Sequence, residues 1–152
     1  MNIHLFLLII QACKINDMKI FEKIQTVLVV DDNEVDAIIA QKLLHHSGLV
    51  TTVIVYNSVD AAIRFLSTCS LAEQPQVMFL DLDMPDKNGF DFLSILSENP
   101  SLLNNNCILY ILSSSIHYLD KEKVSTFPRV RQFLHKPMTR QLLTTLFVKH
   151  GQ

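Results

Sequence analysis

Apolar positions along this chain alternate between two rhythms. Residues 26–30, TVLVV, form an unbroken, mostly β-branched run, the pattern of a strand covered on both faces. From Val35 the spacing turns helical, which places Ile38, Ile39 and Leu43 on one face, with Gly48 as a stop. TTVIVY at 51–56 predicts a second strand. Ser58 then suits a helix N-cap, and Val59, Ala62, Ile63 and Leu66 recur at i, i+3, i+4 and i+7. VMFL at 77–80 is a third strand, followed by a helix around 90–98 that ends before Pro100. CILYIL at 107–112 is a fourth strand, and a weak, polar helix covers roughly 117–126. VRQFL at 130–134 is a short fifth strand. The last helix, about 139–149, carries Leu142, Leu143, Leu146 and Phe147.

Strands that alternate with helices predict an α/β protein with a parallel sheet wrapped on both faces. In such sheets ligands gather at the carboxyl ends of the strands. One edge of the molecule is therefore the place to look for chemistry.

Composition narrows the class. At 152 residues the chain is one ordinary domain, and 49% hydrophobic with 18% charged residues is a globular balance. A net charge of −2 and a pI near 6.3 supply no global field for nucleic acid or an anionic membrane, so neither is an expected partner. Cys13, Cys69 and Cys107 are odd in number and widely spaced, which argues against a disulfide framework or a zinc site and for reduced thiols in the cytoplasm. Residues 1–24 are set apart as an N-terminal extension. Its apolar run, Leu5 to Ile10, is far short of the ~20 residues that span a bilayer, and no basic segment precedes it as in a signal peptide. A translation start at Met18 is expected, which leads directly into the first strand. The compact unit is assigned to residues 25–149.

At the carboxyl edge the polar residues cluster. The first strand runs into Asp31-Asp32, the third into Asp81 with Asp83 two residues on, the fourth into Ser113-Ser114-Ser115, and the fifth into Lys136-Pro137. Carboxylates converging in one pocket repel one another unless a cation intervenes. Hard oxygen ligands suit Mg²⁺. A lysine and a hydroxyl beside the metal could hold an anion, so the set has the makings of phosphoryl transfer to a carboxylate.

VLVVDDN (27–33), MFLDLDMPDKNGF (78–90), ILSSS (111–115) and FLHKP (133–137), each after its own strand, resemble the receiver domains of two-component response regulators. The resemblance spans residues 25–149 and implies a flavodoxin-like, doubly wound (βα)5 fold with strand order 2-1-3-4-5. It implies Asp81 as phosphoacceptor, Asp31 and Asp32 as an acidic pocket with Asp32 the more direct Mg²⁺ ligand, and the backbone carbonyl of Asp83 as a further ligand. It implies Lys136 and Ser113 as the groups that meet the phosphoryl oxygens, Phe133 as an aromatic switch residue, and a cis peptide before Pro137. Asp83 and Ser115 fall where side chains tune the lifetime of an aspartyl phosphate. The implied protein is a stand-alone, cytoplasmic, chemotaxis-type switch rather than an enzyme. Its donor would be a sensor histidine kinase or a histidine phosphotransfer protein, its output an unnamed downstream protein, and its state a monomer or a weak phosphorylation-dependent dimer. The kinase-facing surface is placed on the first helix, with Ala37 and Ile38 among its apolar members.

Simpler readings stand beside these. Asp31-Asp32 alone would serve as an N-cap, Asp83 as a turn residue, and Ser114 and Ser115 as loop hydroxyls. His45-His46 reads as a solvated pair at a helix C-terminus, His135 as non-catalytic, and Asn88-Gly89 as a turn. The alternative function is a phosphatase of the haloacid-dehalogenase type, which DLDMP at 81–85 resembles in part, with Asp81 as nucleophile and Asp83 as general acid.

Overall fold

The structure, a computed structural model, describes residues 23–149. Residues 1–22 of the N-terminal extension, including the expected start at Met18, lie outside the described residues. The strands are β1 (Ile24–Val30), β2 (Val50–Tyr56), β3 (Val77–Leu80), β4 (Ile108–Ser113) and β5 (Val130–His135). The helices are α1 (Glu34–His46), α2 (Val59–Thr68), α3 (Gly89–Glu98), α4 (Tyr118–Ser125) and α5 (Arg140–Lys149). All strand pairings are parallel and the order is β2-β1-β3-β4-β5, the flavodoxin-like arrangement expected.

Alternation along the central strands divides the interior into two cores. Leu28, Val30, Met78, Leu80, Leu109 and Ile111 face α2, α3 and α4. Val27, Val29, Val77, Phe79, Tyr110 and Leu112 face α1 and α5, and the Phe79 and Tyr110 rings stack at 5.5 Å. Each fully buried side chain of this size contributes about 1.5–3 kcal/mol. Such a central sheet is a rigid platform for whatever its ends carry. Cys107, just before β4, is a buried core residue, and burial pushes its thiol up to about 12.

Local chemistry sets the helix starts. Asn33 caps α1 by accepting the Val35 and Asp36 amides, and Ser58 caps α2 by accepting the Ala61 amide. Asn88 caps α3 in a reciprocal box with Asp91.

The predicted face of α1 is corrected. Its buried residues are Ala37, Ala40 and Leu44, whereas Val35 and Ile38 are 65% and 49% exposed. The small alanines let the helix lie close to the sheet, and large apolar residues one position away are rotated outward. Ala37 is therefore withdrawn from the surface on which the sequence placed it, while Ile38 is exposed.

Candidate functional site

The carboxyl ends of β1, β3, β4 and β5 bring the predicted residues to one pocket. Asp31 and Asp81 directly follow β1 and β3, and each is 3% exposed. Their backbones stay in register beyond the strands, since the Asp81 amide donates to the Val30 carbonyl at 2.9 Å. The Lys136 amide donates to the Ser113 carbonyl at 3.0 Å, which fixes the lysine beside β4. The Lys136-Pro137 peptide bond is cis, as the resemblance implied.

The Lys136 ammonium has three hydrogens and meets three carboxylates. Nζ lies 2.8 Å from Asp31 Oδ2, 3.0 Å from Asp36 Oδ2 and 3.2 Å from Asp81 Oδ2. Asp31 Oδ1 accepts the Asn33 amide at 2.9 Å, and Asp81 Oδ1 accepts the Asp83 amide at 3.4 Å. Asp32 is half-buried beside them.

Negative charge exceeds positive here, and the protonation tendencies follow. Burial raises the Asp81 carboxyl to about 6, the Lys136 charge opposing it and the Asp31 charge adding to it. Burial also raises Asp31, against its hydrogen bond to Lys136. For Lys136 burial acts downward, but the hydrogen bonds to Asp31 and Asp36 and the Asp81 charge outweigh it and hold the ammonium above its ordinary value.

Asp31, Asp32 and Asp81 each offer a carboxylate oxygen, and these atoms lie within 4.8 Å of one another. A compact, all-oxygen, anionic donor set fits Mg²⁺, which keeps several waters and takes few protein ligands. Its surplus of negative charge is what a divalent cation would offset.

The remaining predicted residues sit around this centre. Ser113 ends β4, is fully buried, and donates its hydroxyl to Asp83 Oδ2 at 3.3 Å. The Asp83 side chain is thus more than the turn residue of the simpler reading. Ser115 is buried and bonded to Asp120 of α4, so it is more than a loop hydroxyl. Phe133 is half-buried, with its ring 5.3 Å from that of His135 and the Lys121 ammonium 5.7 Å away. His135 is exposed and makes no approach to the carboxylates among the contacts described.

Gly89 closes the loop after β3. Its amide donates to the Leu82 carbonyl at 3.0 Å. A Cβ there would lie 2.9 Å from the Leu82 Cα and nearer still to the Asp81 carbonyl oxygen. Only glycine lets α3 start this close to Asp81.

Sequence reasoning missed Asp36 as a partner of Lys136. The signal was its place in the first turn of α1, directly after the strand end that carries Asp31. Asp120 was missed as well, because α4 has no apolar periodicity that would orient it.

A doubly wound parallel sheet with an acidic pocket and a buried lysine at its carboxyl edge is the class that fold and site define. The profile of the response regulator receiver domain matches residues 27–147, and the chain belongs to that family. It is 29% identical over 139 residues to hybrid signal transduction histidine kinase B of Dictyostelium discoideum, which covers 85% of this chain and 7% of that protein. It is 30% identical over 81 residues to response regulator Rcp1 of Synechocystis sp., covering 51% of this chain and 55% of Rcp1. The chain therefore spans well under two thirds of either relative. The crystal structure of a response regulator receiver protein from Dyadobacter fermentans superposes with a TM-score of 0.71 at 34% identity, covering 84% of this chain and 97% of that one. The Mn²⁺-bound form of Rcp1 shares the fold, with a TM-score of 0.64 at 24% identity over 80% and 88% of the two chains. Receiver domains are in general phosphoacceptor switches that bind Mg²⁺ at an acidic pocket and interact with histidine kinases or phosphotransfer proteins. Among the described residues no helix is long and apolar enough to cross a membrane.

Proposed function

We propose that the unit at 25–149 is a phosphorylation switch whose acceptor is Asp81. The observation that carries this reading is the placement of Lys136 Nζ between Asp31 and Asp81, 2.8 and 3.2 Å away, with the Asp31–Asp32–Asp81 oxygens clustered beside it. A phosphohistidine donor presents its phosphorus to Asp81. One carboxylate oxygen forms the new P–O bond as the P–N bond breaks, and the imidazole leaves with that electron pair and takes a proton from solvent. Asp31, Asp32, Asp81 and the Asp83 carbonyl would hold Mg²⁺, which would supply Lewis-acid neutralisation of charge on the phosphoryl oxygens. The Mn²⁺-bound Rcp1 supports such a metal site by analogy. Lys136 provides fixed positive charge beside Asp81, and Ser113 provides a hydroxyl donor from the end of β4.

The product places about −1.5 to −2 of charge where a single carboxylate stood. Ser113 turns toward it, Phe133 turns inward, and the surface of α4, β5 and α5 changes its packing. This is a shift between two populations of one fold. A sensor histidine kinase or histidine phosphotransfer protein serves as donor and docks on α1, where Val35 and Ile38 are exposed. A protein reading the altered face serves as target. The chain works in the cytoplasm, as a monomer or a weak phosphorylation-dependent dimer, with no chemistry beyond self-phosphorylation and slow self-dephosphorylation.

The phosphatase reading needs Asp83 as a free general acid beside Asp81. Its carboxylate is instead occupied as the acceptor of the Ser113 hydroxyl, which speaks against that role. Acetyl phosphate with Mg²⁺ should add one phosphoryl group to the protein by mass spectrometry. The adduct should be absent in Asp81→Ala, and a label that persists in that variant would overturn the assignment.

A further inference from the structure

At and just beyond the end of β4, Ser113 and Ser115 stand on either side of Ser114, and each of the two hydroxyls has a single hydrogen to donate. Ser113 Oγ donates to Asp83 Oδ2 at 3.3 Å and accepts the Ser115 amide at 3.1 Å. Ser115 Oγ donates to Asp120 Oδ2 and accepts the His117 amide at 3.3 Å. Both serines are buried, so solvent offers no ready replacement for these partners. Asp83, Ser113, Ser115 and Asp120 thus form one continuous hydrogen-bonded chain from the loop after β3 to the first turn of α4.

Few buried side chains hold the far end of that chain. The residue before α4, His117, makes no side-chain cap, and of the helix's described residues Val124 alone is buried. Ile116, Tyr118 and Leu119 are 84%, 74% and 72% exposed.

The geometry points to Asp120 as a positioning residue that couples Ser113 to the first turn of α4 and so sets where Ile116, Tyr118 and Leu119 stand. The inference rests on the reading of Asp81 as phosphoacceptor and Ser113 as its hydroxyl donor. One hydrogen cannot serve Asp83 and an anion on Asp81 together, so engagement of the anion releases Asp83. The Ser115 amide then follows its acceptor or loses it. Because the Ser115 side chain is fastened to Asp120, displacement of its backbone is carried into α4. Without Asp120, Ser115 shifts alone and the helix stays where it was.

The test is amide NMR of the full chain with Mg²⁺, before and after addition of beryllium fluoride, a phosphoryl analogue that binds carboxylates. Wild type should respond at Ser113 and at residues 117–119. Asp120→Ala and Ser115→Ala should keep the response at Ser113 but lose about half or more of it at 117–119. Asp120→Asn, whose amide oxygen still accepts from Ser115, should restore it. A full response at 117–119 in both Asp120→Ala and Ser115→Ala overturns the coupling while leaving the phosphoacceptor reading intact. A wild type silent at Ser113 overturns both.

Discussion

Lys136 Nζ and Asp36 Oδ2 lie 3.0 Å apart although a hundred positions separate them in the chain. The contact ties the first turn of α1 to the end of β5 across the pocket, and it gives Lys136 a third carboxylate besides Asp31 and Asp81. Removal of Asp36 should therefore be felt without being fatal. Asp36→Ala is expected to cost about 1 kcal/mol, the modest value fitting a partly exposed partner. A lowered urea midpoint with an unchanged slope is the check.

Removal of Lys136 should be far more damaging. Lys136→Met leaves buried carboxylates facing one another without a counter-charge, and a loss of about 3 kcal/mol is expected in metal-free protein. Added Mg²⁺ should raise the melting temperature of this variant by more than that of wild type, because the cation then meets the whole surplus of charge. Labelling by acetyl phosphate should fall with it.

Acidity gives a third outcome. The Asp81 carboxyl titrates near 6 in the fold against an ordinary 3.8. Between those values the folded chain holds a proton that the unfolded chain has released, so stability falls as pH rises through the window and stays lower above it. Asp31, raised in the same direction, adds to the fall. Lys136 adds no slope there, since a raised lysine contributes fully below its ordinary value. In urea melts of metal-free protein at about pH 4.5 and about pH 7, Asp81→Asn should gain on wild type at the higher pH. A gap that does not change with pH would refute the assignment. Mg²⁺ should bind more weakly below about pH 6, where its ligands must give up protons.

Gly89→Ala tests the closure of the loop after β3. The added methyl meets the backbone of Asp81 and Leu82, which cannot yield as a flexible side chain could. A loss of about 2–3 kcal/mol is expected, with weaker Mg²⁺ binding as the loop displaces Asp81. Thermal melts with and without Mg²⁺ read both effects.

On α1, Val35→Ser and Ile38→Ser should leave stability within about 0.5 kcal/mol, since both side chains are exposed. Phosphotransfer from a cognate histidine kinase should slow, while labelling by acetyl phosphate stays at the wild-type level. Slowing of both would place the residues in folding or chemistry rather than in docking.

Much of this architecture is legible in the sequence because its signals are local. TVLVV and VMFL are buried on both faces and so read as apolar runs, and Asp31, Asp81 and Ser113 each mark the end of such a run, while Lys136 follows the more polar strand VRQFLH. Ser58 announces the helix it caps, whereas Asn88, read from the sequence as a turn residue, caps α3. What stayed hidden depends on packing. Two of the three buried residues of α1, Ala37 and Ala40, are alanines, which weigh less in a hydropathy pattern than the exposed Val35 and Ile38 beside them. The partnership of Lys136 with Asp36 needs two ends of the chain to meet. The Asp83 side chain and the Ser115–Asp120 bond are set by how β4 leaves the sheet, which no spacing encodes.

The turn at Asn88-Gly89 also bears on how the protein ages. In an Asn-Gly pair the glycine nitrogen can attack the asparagine side chain, closing a ring that opens to aspartate or its β-linked isomer. Here the Gly89 amide is engaged by the Leu82 carbonyl at 3.0 Å, and Asn88 Oδ1 accepts the Phe90 and Asp91 amides at 2.9 and 3.1 Å. The attack requires all of these to be released together. Deamidation at Asn88 is therefore a record of time spent with the start of α3 unwound, and its accumulation in stored protein is a clock for that opening.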